Sequence, residues 1–353
     1  MEDLITADAQ RIAADWSLST TELKGAVVAV SGASGLIGRH TVSLLLELSR
    51  AFNLDTTVVA MGRDETRLHK VFKEADDLLF FSSDVTAAWP KATHLIHAAS
   101  PATPGAFADD PVGVIKANVI GALAALQEAE QLGAYVAFVS TMEIYGKVPR
   151  PAGLPEGADI VIDESTLGLV DPMELRSAYP ESKRLAETLC VAYAEQYGVR
   201  SDVVRVSHSY GPGTNPADDR VQVQFVKQAV AGEPIVLKSD GSLRRSYTYA
   251  ADSAAAIVAV LSTRSTRRHT EAFNVADNSA RISIRELAEL SLEAAGRSPD
   301  ELVFDIPADT PAWSKMPSGT FLDTARIEAL GWKPHFTLPE GLRRMAEYLK
   351  AAK

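Results

Sequence analysis

An α/β fold, a doubly wound parallel sheet with a smaller C-terminal lobe, is predicted by three observations. Continuous apolar runs alternate with helical patterns from about residue 26 to residue 206. A glycine turn, Gly32-Ala-Ser-Gly35-Leu-Ile-Gly38, follows the first of these runs and opens a helix. Beyond about residue 207 the elements shorten, and Gly, Pro, Asn and Asp become more frequent. Strands buried on both faces read as unbroken apolar runs, and successive strand-helix-strand units join in parallel with right-handed crossovers.

The elements follow in order. An amphipathic segment over 4–18 precedes a buried strand over 26–31. The helix after the glycine turn carries Val42, Leu44, Leu45, Leu46 and Leu48 over 40–49. Strands are expected over 57–61, 78–81 and 93–97, then a helix over 112–131, a strand over 134–140, a helix over 178–197 and a strand over 202–206. The run at 272–276 suits a return to the sheet. No repeat, low-complexity tract or long linker interrupts the pattern.

Composition narrows the partners. The chain has 353 residues, 46% hydrophobic and 23% charged, and a formal net charge of −11. Such an acidic surface argues against nucleic acid or an anionic membrane as the main partner, so an anionic ligand must meet a few local cations. The start, Met1-Glu-Asp-Leu-Ile-Thr-Ala-Asp, lacks the basic and apolar regions of a signal peptide, and no run was expected to reach a membrane span. A cytoplasmic location is expected. The single Cys190 cannot form an internal disulfide and reads as a packing residue.

The glycine turn has a mechanical reading. Gly32 permits the tight turn, Gly35 lets backbone N–H groups approach a pyrophosphate, and Gly38 lets helix and strand pack closely. Ser34, Leu36 and Ile37 complete the cradle, and the helix N-terminus favours negative charge. These features describe a Rossmann-type dinucleotide-binding domain over 22–206, with a return at 246–276. A substrate lobe over 207–353 and an N-terminal helical extension over 1–21 complete the expected organisation. At the end of the second strand, Arg63 suits the 2′-phosphate of NADP or stacking on adenine, whereas Asp64 pulls toward NAD. Asp84 and Val85 after the third strand, and Ala98, Ala99 and Ser100 after the fourth, fall where adenine and the middle of the cofactor would lie.

Tyr179 and Lys183 stand at i and i+4, so a rise of about 6 Å puts both on one helical face. An ammonium near a phenol favours the phenolate and would lower the tyrosine from its usual value of about 10, as a base for a sugar or alcohol hydroxyl requires. Thr141, at the end of the preceding strand, is placed to hydrogen-bond the reacting oxygen.

At this point the chain resembles the extended short-chain dehydrogenase/reductases, in particular their nucleotide-sugar epimerases, dehydratases and decarboxylases. The resemblance covers nearly the whole length. It rests on the glycine turn, His97-Ala-Ala-Ser-Pro-Ala-Thr-Pro104, Asn118-Val-Ile-Gly121, Ser140-Thr-Met-Glu-Ile-Tyr-Gly146, Tyr179-x-x-x-Lys183, Arg205-Val-Ser-His-Ser-Tyr-Gly-Pro212, Arg245-Ser-Tyr-Thr-Tyr249 and Leu330-Gly-Trp-Lys-Pro334. It implies that Tyr179 is the base, that Lys183 holds the nicotinamide ribose and that Thr141 binds the sugar oxygen. It further implies that Asn118 orders the cofactor site. Ser100, His208, Arg220 and Arg245 are the corresponding substrate contacts, with the two arginines facing a nucleotide diphosphate. A homodimer built on the 112–131 and 178–197 helices is implied as well.

The implied cycle is redox-neutral: NAD takes a hydride from the sugar C4, and chemistry at C5 or C6 follows. Glu143 resembles the acid of dehydratases and decarboxylases, which favours a lyase over a 4-epimerase. Two departures keep the branches open. Met142 stands where many 4,6-dehydratases have an aspartic acid, and the segment Lys315-Met-Pro-Ser-Gly-Thr320 lacks the arginine of decarboxylases. His208 replaces a usual asparagine, as a hydrogen-bonding substitute or a proton donor. More distant alternatives are an NADP-dependent ketoreductase, suggested by Arg63, and a non-catalytic cofactor sensor.

Overall fold

The computed structural model describes residues 4–72, 79–82, 91–155, 157–264, 269–307 and 319–351. Seven strands form the central sheet: β1 Val27–Ser31, β2 Thr57–Met61, β3 Leu79–Ser82, β4 His94–His97, β5 Tyr135–Thr141, β6 Ser201–Val206 and β7 Ala272–Val275. Their order is β7-β6-β5-β4-β1-β2-β3, and all six pairings are parallel. The apolar runs predicted this arrangement because alternate residues enter opposite cores. Val28, Val30, Val58, Ala60, Ala137 and Val204 face one cluster, while Ala29, Val59, Met61, Val136, Phe138 and Val203 face the other.

Helices cover both faces. On the first lie α1 (Leu4–Ala14), α2 (Leu36–Phe52) and α8 (Ala250–Ser262), and on the second α5 (Pro111–Leu132) and α6 (Ala178–Tyr197). Strand order reverses between β1 and β4, so their C-terminal ends open the crevice in which ligands of such sheets bind. By length and composition α5 could cross a bilayer, contrary to the expectation that no segment would. Here Val114, Gly121, Ala122, Ala125, Leu126 and Ala129 bury one of its faces against the sheet and α6, as the core helix of an α/β layer requires.

The return to the sheet is narrower than 246–276. Only β7 joins it, with Phe273 opposite Val204. Arg244–Tyr249 instead lies in a three-stranded sheet, between His208–Tyr210 and Arg281–Ser283, because α8 intervenes and packs on α2. That small sheet lines a cavity beside the turn after β5. The C-terminal lobe and the N-terminal helix share a single core with the main sheet, running from Ala9 through Val223, Leu287 and Leu342 to Leu349. Buried Asp8 of α1 ties these parts together, accepting a 2.7 Å hydrogen bond from the Tyr249 hydroxyl and pairing with Arg344.

Three histidines are sealed in this core. Burial pushes the imidazoles of His94 and His97 down to about 3 and that of His40 down to about 4. Each must charge when the chain unfolds below its ordinary value of 6.5, so the unfolded state binds more protons and stability drains as pH falls. Burial raises the Asp8 carboxyl to about 6, which acts with the opposite sign between pH 6 and 3.8. The histidines outnumber it. Denaturant midpoints should fall between pH 7 and pH 5 by an amount equivalent to about 2 kcal/mol for each of these histidines and for His208, which burial also pushes to about 3, less about 1 kcal/mol for Asp8. A flat profile would contradict the neutral, buried state of these rings.

Candidate active site

The crevice begins at the glycine turn. Gly32 has φ +69°, and a Cβ there would lie 2.7 Å from the Ala99 Cα, so the turn after β1 presses on the segment after β4. A Cβ at Gly38 would lie 2.2 Å from the Gly32 carbonyl, which only a glycine in the first turn of α2 avoids. Gly35 caps α2 with no side chain, leaving the helix N-terminal N–H groups around Leu36 and Ile37 free for an anion. The Ser34 carbonyl accepts a hydrogen bond from Arg39. Behind the turn, Ser31 Oγ lies 2.8 Å from His97 Nδ1 and accepts from the Ala99 N–H, which fixes Ala98, Ala99 and Ser100 along the crevice. Among the described residues, the buried Ser100 Oγ and Asn118 Oδ1 have no hydrogen-bond partner. Uncapped N–H groups and unpaired polar atoms along one groove fit a dinucleotide with its pyrophosphate at the helix end.

The adenine end is only partly described. Arg63 is exposed after β2, and the Asp64 side chain accepts from the Arg67 N–H as the cap of α3 (Glu65–Val71). Asp64 is thus committed to a helix end. Asp84 and Val85 lie outside the described residues.

Thr141 ends β5, and its Oγ1 accepts from the Glu143 N–H at 3.2 Å, which starts the short turn Met142–Tyr145. Tyr179, in the first turn of α6, is buried, stacks on Phe107 with ring centroids 4.6 Å apart and hydrogen-bonds Thr141. Asn118 Nδ2 donates to Ser182 Oγ at 2.9 Å, and that hydroxyl donates to the Tyr179 carbonyl. This clasp joins α5 to the first turn of α6. Lys183 is 2% exposed; its ammonium donates to the Val139 carbonyl at 2.8 Å and lies 4.7 Å over the Phe138 ring.

These positions correct the expected tuning. Burial raises the Tyr179 phenol to about 12, opposed by the Thr141 hydrogen bond, while the charges acting on it belong to Glu143 and Arg220. Burial pushes Lys183 down to about 7. Helical spacing sets both residues on one face, but the lysine rotamer points its ammonium at β5 rather than at the phenol.

Next to Thr141 and Tyr179 opens a cavity of about 370 Å³ between the turn after β5, the segment leading into α6 and the small sheet. Glu143, Arg176, His208, Arg244 and Arg245 line it. Glu143 pairs with Arg176 at 2.9 Å, and Arg244 with Asp159 at 2.7 Å. Arg245 has no hydrogen-bond or ion-pair partner among the described residues. Arg220 does not line the cavity; Asp218 holds its guanidinium at 2.6 Å. Loss of water drives the His208 imidazole to about 3, helped by Arg245, Arg220 and Arg176, so it is neutral at physiological pH. Sequence reasoning missed Phe107, Ser182 and Arg176. Ser182 and Arg176 flank Tyr179 within four residues, but nothing in that proximity distinguishes them from ordinary polar positions.

The sequence profile of the NAD dependent epimerase/dehydratase family matches residues 28–276. The chain belongs to that family. Among curated relatives of this epimerase/dehydratase, UDP-glucuronic acid decarboxylase 3 of Arabidopsis thaliana is 31% identical over 325 residues, covering 91% of this chain and 88% of the relative. Among solved structures, a UDP-glucuronic acid 4-epimerase from Bacillus cereus, in complex with UDP-glucuronic acid and NAD, shares the fold with a TM-score of 0.75. It is 21% identical, with 93% of this chain and 100% of that one covered. A dTDP-glucose 4,6-dehydratase from Streptomyces venezuelae superposes with a TM-score of 0.73 at 22% identity, covering 92% of this chain and 97% of that one. The family is NAD-dependent, and the epimerase/dehydratase groove described above suits that cofactor.

The buried ammonium makes a measurable claim. The unfolded state holds the Lys183 proton up to about 10.5 and the folded state only to about 7, so stability should rise with pH across that window. In cofactor-free protein, Lys183→Met should remove a gain of about 2 kcal/mol between pH 7 and pH 9. Equal slopes in the two proteins would show that the ammonium is not desolvated.

Proposed function

We propose that this epimerase/dehydratase is a lyase that oxidises a UDP-uronate at C4 and removes its C6 carboxylate. The observation that carries the reading is the cavity beside Thr141 and Tyr179, in which an acidic chain assembles Lys147, Arg176, Arg244, Arg245, which has no partner among the described residues, and neutral His208. Such a lining suits a substrate with a diphosphate and a further carboxylate. The 31% identity to a UDP-glucuronic acid decarboxylase over 91% of the chain supports the same choice. Met142, beside Glu143, provides no acid to expel a 6-hydroxyl, which weighs against a 4,6-dehydratase.

Tyr179 would take the proton of the C4 hydroxyl, with Thr141 holding the same oxygen. The phenol near 12 must come down for that task, and Lys183, on the same face of α6, is the cation able to bring it down by turning from Val139. NAD held against the Gly32–Gly38 turn and the Ala98–Ser100 segment would supply a reversible hydride acceptor for C4. A ketone at C4 makes the C6 carboxylate a β-keto acid: the C5–C6 bond breaks, its electron pair moves toward the C4 oxygen, and carbon dioxide leaves. Glu143 is placed to handle the proton that C5 then takes up. Asn118, through Ser182, keeps the first turn of α6 in place during this exchange.

The outer faces of α5 and α6 expose Val112, Ile115, Ile120, Leu185 and Val191. A second copy pairing the same two helices would cover them, giving a homodimer.

Incubation with UDP-glucuronate should yield a product lighter by one carbon dioxide, with no net change in NAD. Unchanged mass would favour an epimerase, and loss of water a dehydratase. Arg245→Gln should raise KM about 10- to 100-fold with little change in kcat, because it removes charge-assisted contacts to the diphosphate. Light scattering should return twice the 37.8 kDa chain mass, and the single-chain mass would exclude the dimer.

A further inference from the structure

The Glu143–Arg176 pair joins the turn after β5 to the residue three positions before Tyr179, and both members line the cavity. A single contact, Nη1 to Oε2 at 2.9 Å, holds it, with the Arg176 side chain 62% exposed and that of Glu143 29% exposed. Ion pairs so open to water are weak and exchange readily. A guanidinium also offers a planar fork of five N–H donors, most of which one oxygen leaves unused. Arg176 is therefore a carboxylate receptor with a loosely held internal carboxylate on it.

The other cations of the region are differently placed. Asp218 engages Arg220 through three hydrogen bonds, and Asp159 engages Arg244. Arg245 and the cavity-lining Lys147, with no side-chain partner among the described residues, are the cations left for the diphosphate. The late segment Lys315-Met-Pro-Ser-Gly-Thr320 contains no arginine. Arg176 is thus the arginine that already carries a carboxylate within the cavity and is tied to the turn that begins at Thr141.

We propose that Arg176 is the subsite for the carboxylate of the sugar, and that the substrate carboxylate displaces Glu143 from it. This rests on the uronate reading given above. The exchange selects a charged sugar over a neutral one. It also frees Glu143 beside the carbon that loses the carboxylate, so the acid is released only when a substrate that needs it is bound.

Calorimetric titration of the NAD-loaded protein with UDP-glucuronate, UDP-glucose and UDP tests the exchange, with Tyr179→Phe in all proteins to suppress turnover. UDP-glucuronate should bind at least tenfold more tightly than UDP-glucose. Adding Arg176→Gln should reduce that preference to twofold or less while leaving UDP affinity unchanged, and Arg176→Lys should retain part of it. Adding Glu143→Gln should tighten UDP-glucuronate several-fold, because the internal competitor is gone. A preference that survives Arg176→Gln, or an equal loss for UDP, would overturn the proposal. Carbon dioxide release from UDP-glucuronate by the unmodified enzyme is scored separately. Release without an Arg176-dependent preference refutes the subsite and leaves the lyase standing; the preference without release does the reverse.

Discussion

The contact between Gly38 and the Gly32 carbonyl, together with the pressure of Gly32 on Ala98 and Ala99, governs the architecture around the site. It brings the ends of β1 and β4 and the start of α2 within backbone distance of one another, where strand order reverses. Any side chain larger than hydrogen would wedge these segments apart. With them together, an uncapped helix N-terminus faces the groove, and the Ser31–His97 hydrogen bond seals its floor. The crevice is thus a consequence of close packing, and its polarity comes from backbone groups that packing leaves without partners.

A second constraint is the handling of charge in an acidic chain. The protein places Lys183 in a buried setting, against a carbonyl and an aromatic face, where desolvation weakens its hold on its proton. Most of the arginines around the cavity are tethered by single acids, Arg220 by Asp218, Arg244 by Asp159 and Arg176 by Glu143. These pairings differ in strength: Asp218 is nearly sealed, whereas Glu143 is partly solvated. That gradient separates structural arginines from those available to a ligand. It also keeps His208 neutral, since three guanidiniums and loss of water all oppose its protonation.

Much of the fold was legible in the chain. The run Val27–Ser31 announces a two-sided burial, and the glycine spacing that follows announces a turn with no room for side chains; both are local requirements. Tyr179 and Lys183 were legible as a pair because helical geometry alone sets their shared face. The apolarity of α5 reaches membrane length against expectation because its Ala- and Gly-rich composition lowers bulk while keeping hydropathy high. The return expected over 246–276 narrows to Ala272–Val275, since nothing local says which of two sheets a strand such as Arg244–Tyr249 will join.

Sequence by itself determined the parallel α/β order, the dinucleotide turn and the shared helical face of Tyr179 and Lys183, because each follows from spacing along one element. Only the tertiary structure decided that Lys183 points at Val139, that Asp218 engages Arg220, that Arg245 has no partner among the described residues and that Glu143 meets Arg176. These are contacts chosen among competing partners. A long side chain commits its charge to whichever acid or carbonyl the packing of distant elements brings within reach, and that choice is made by the assembled fold.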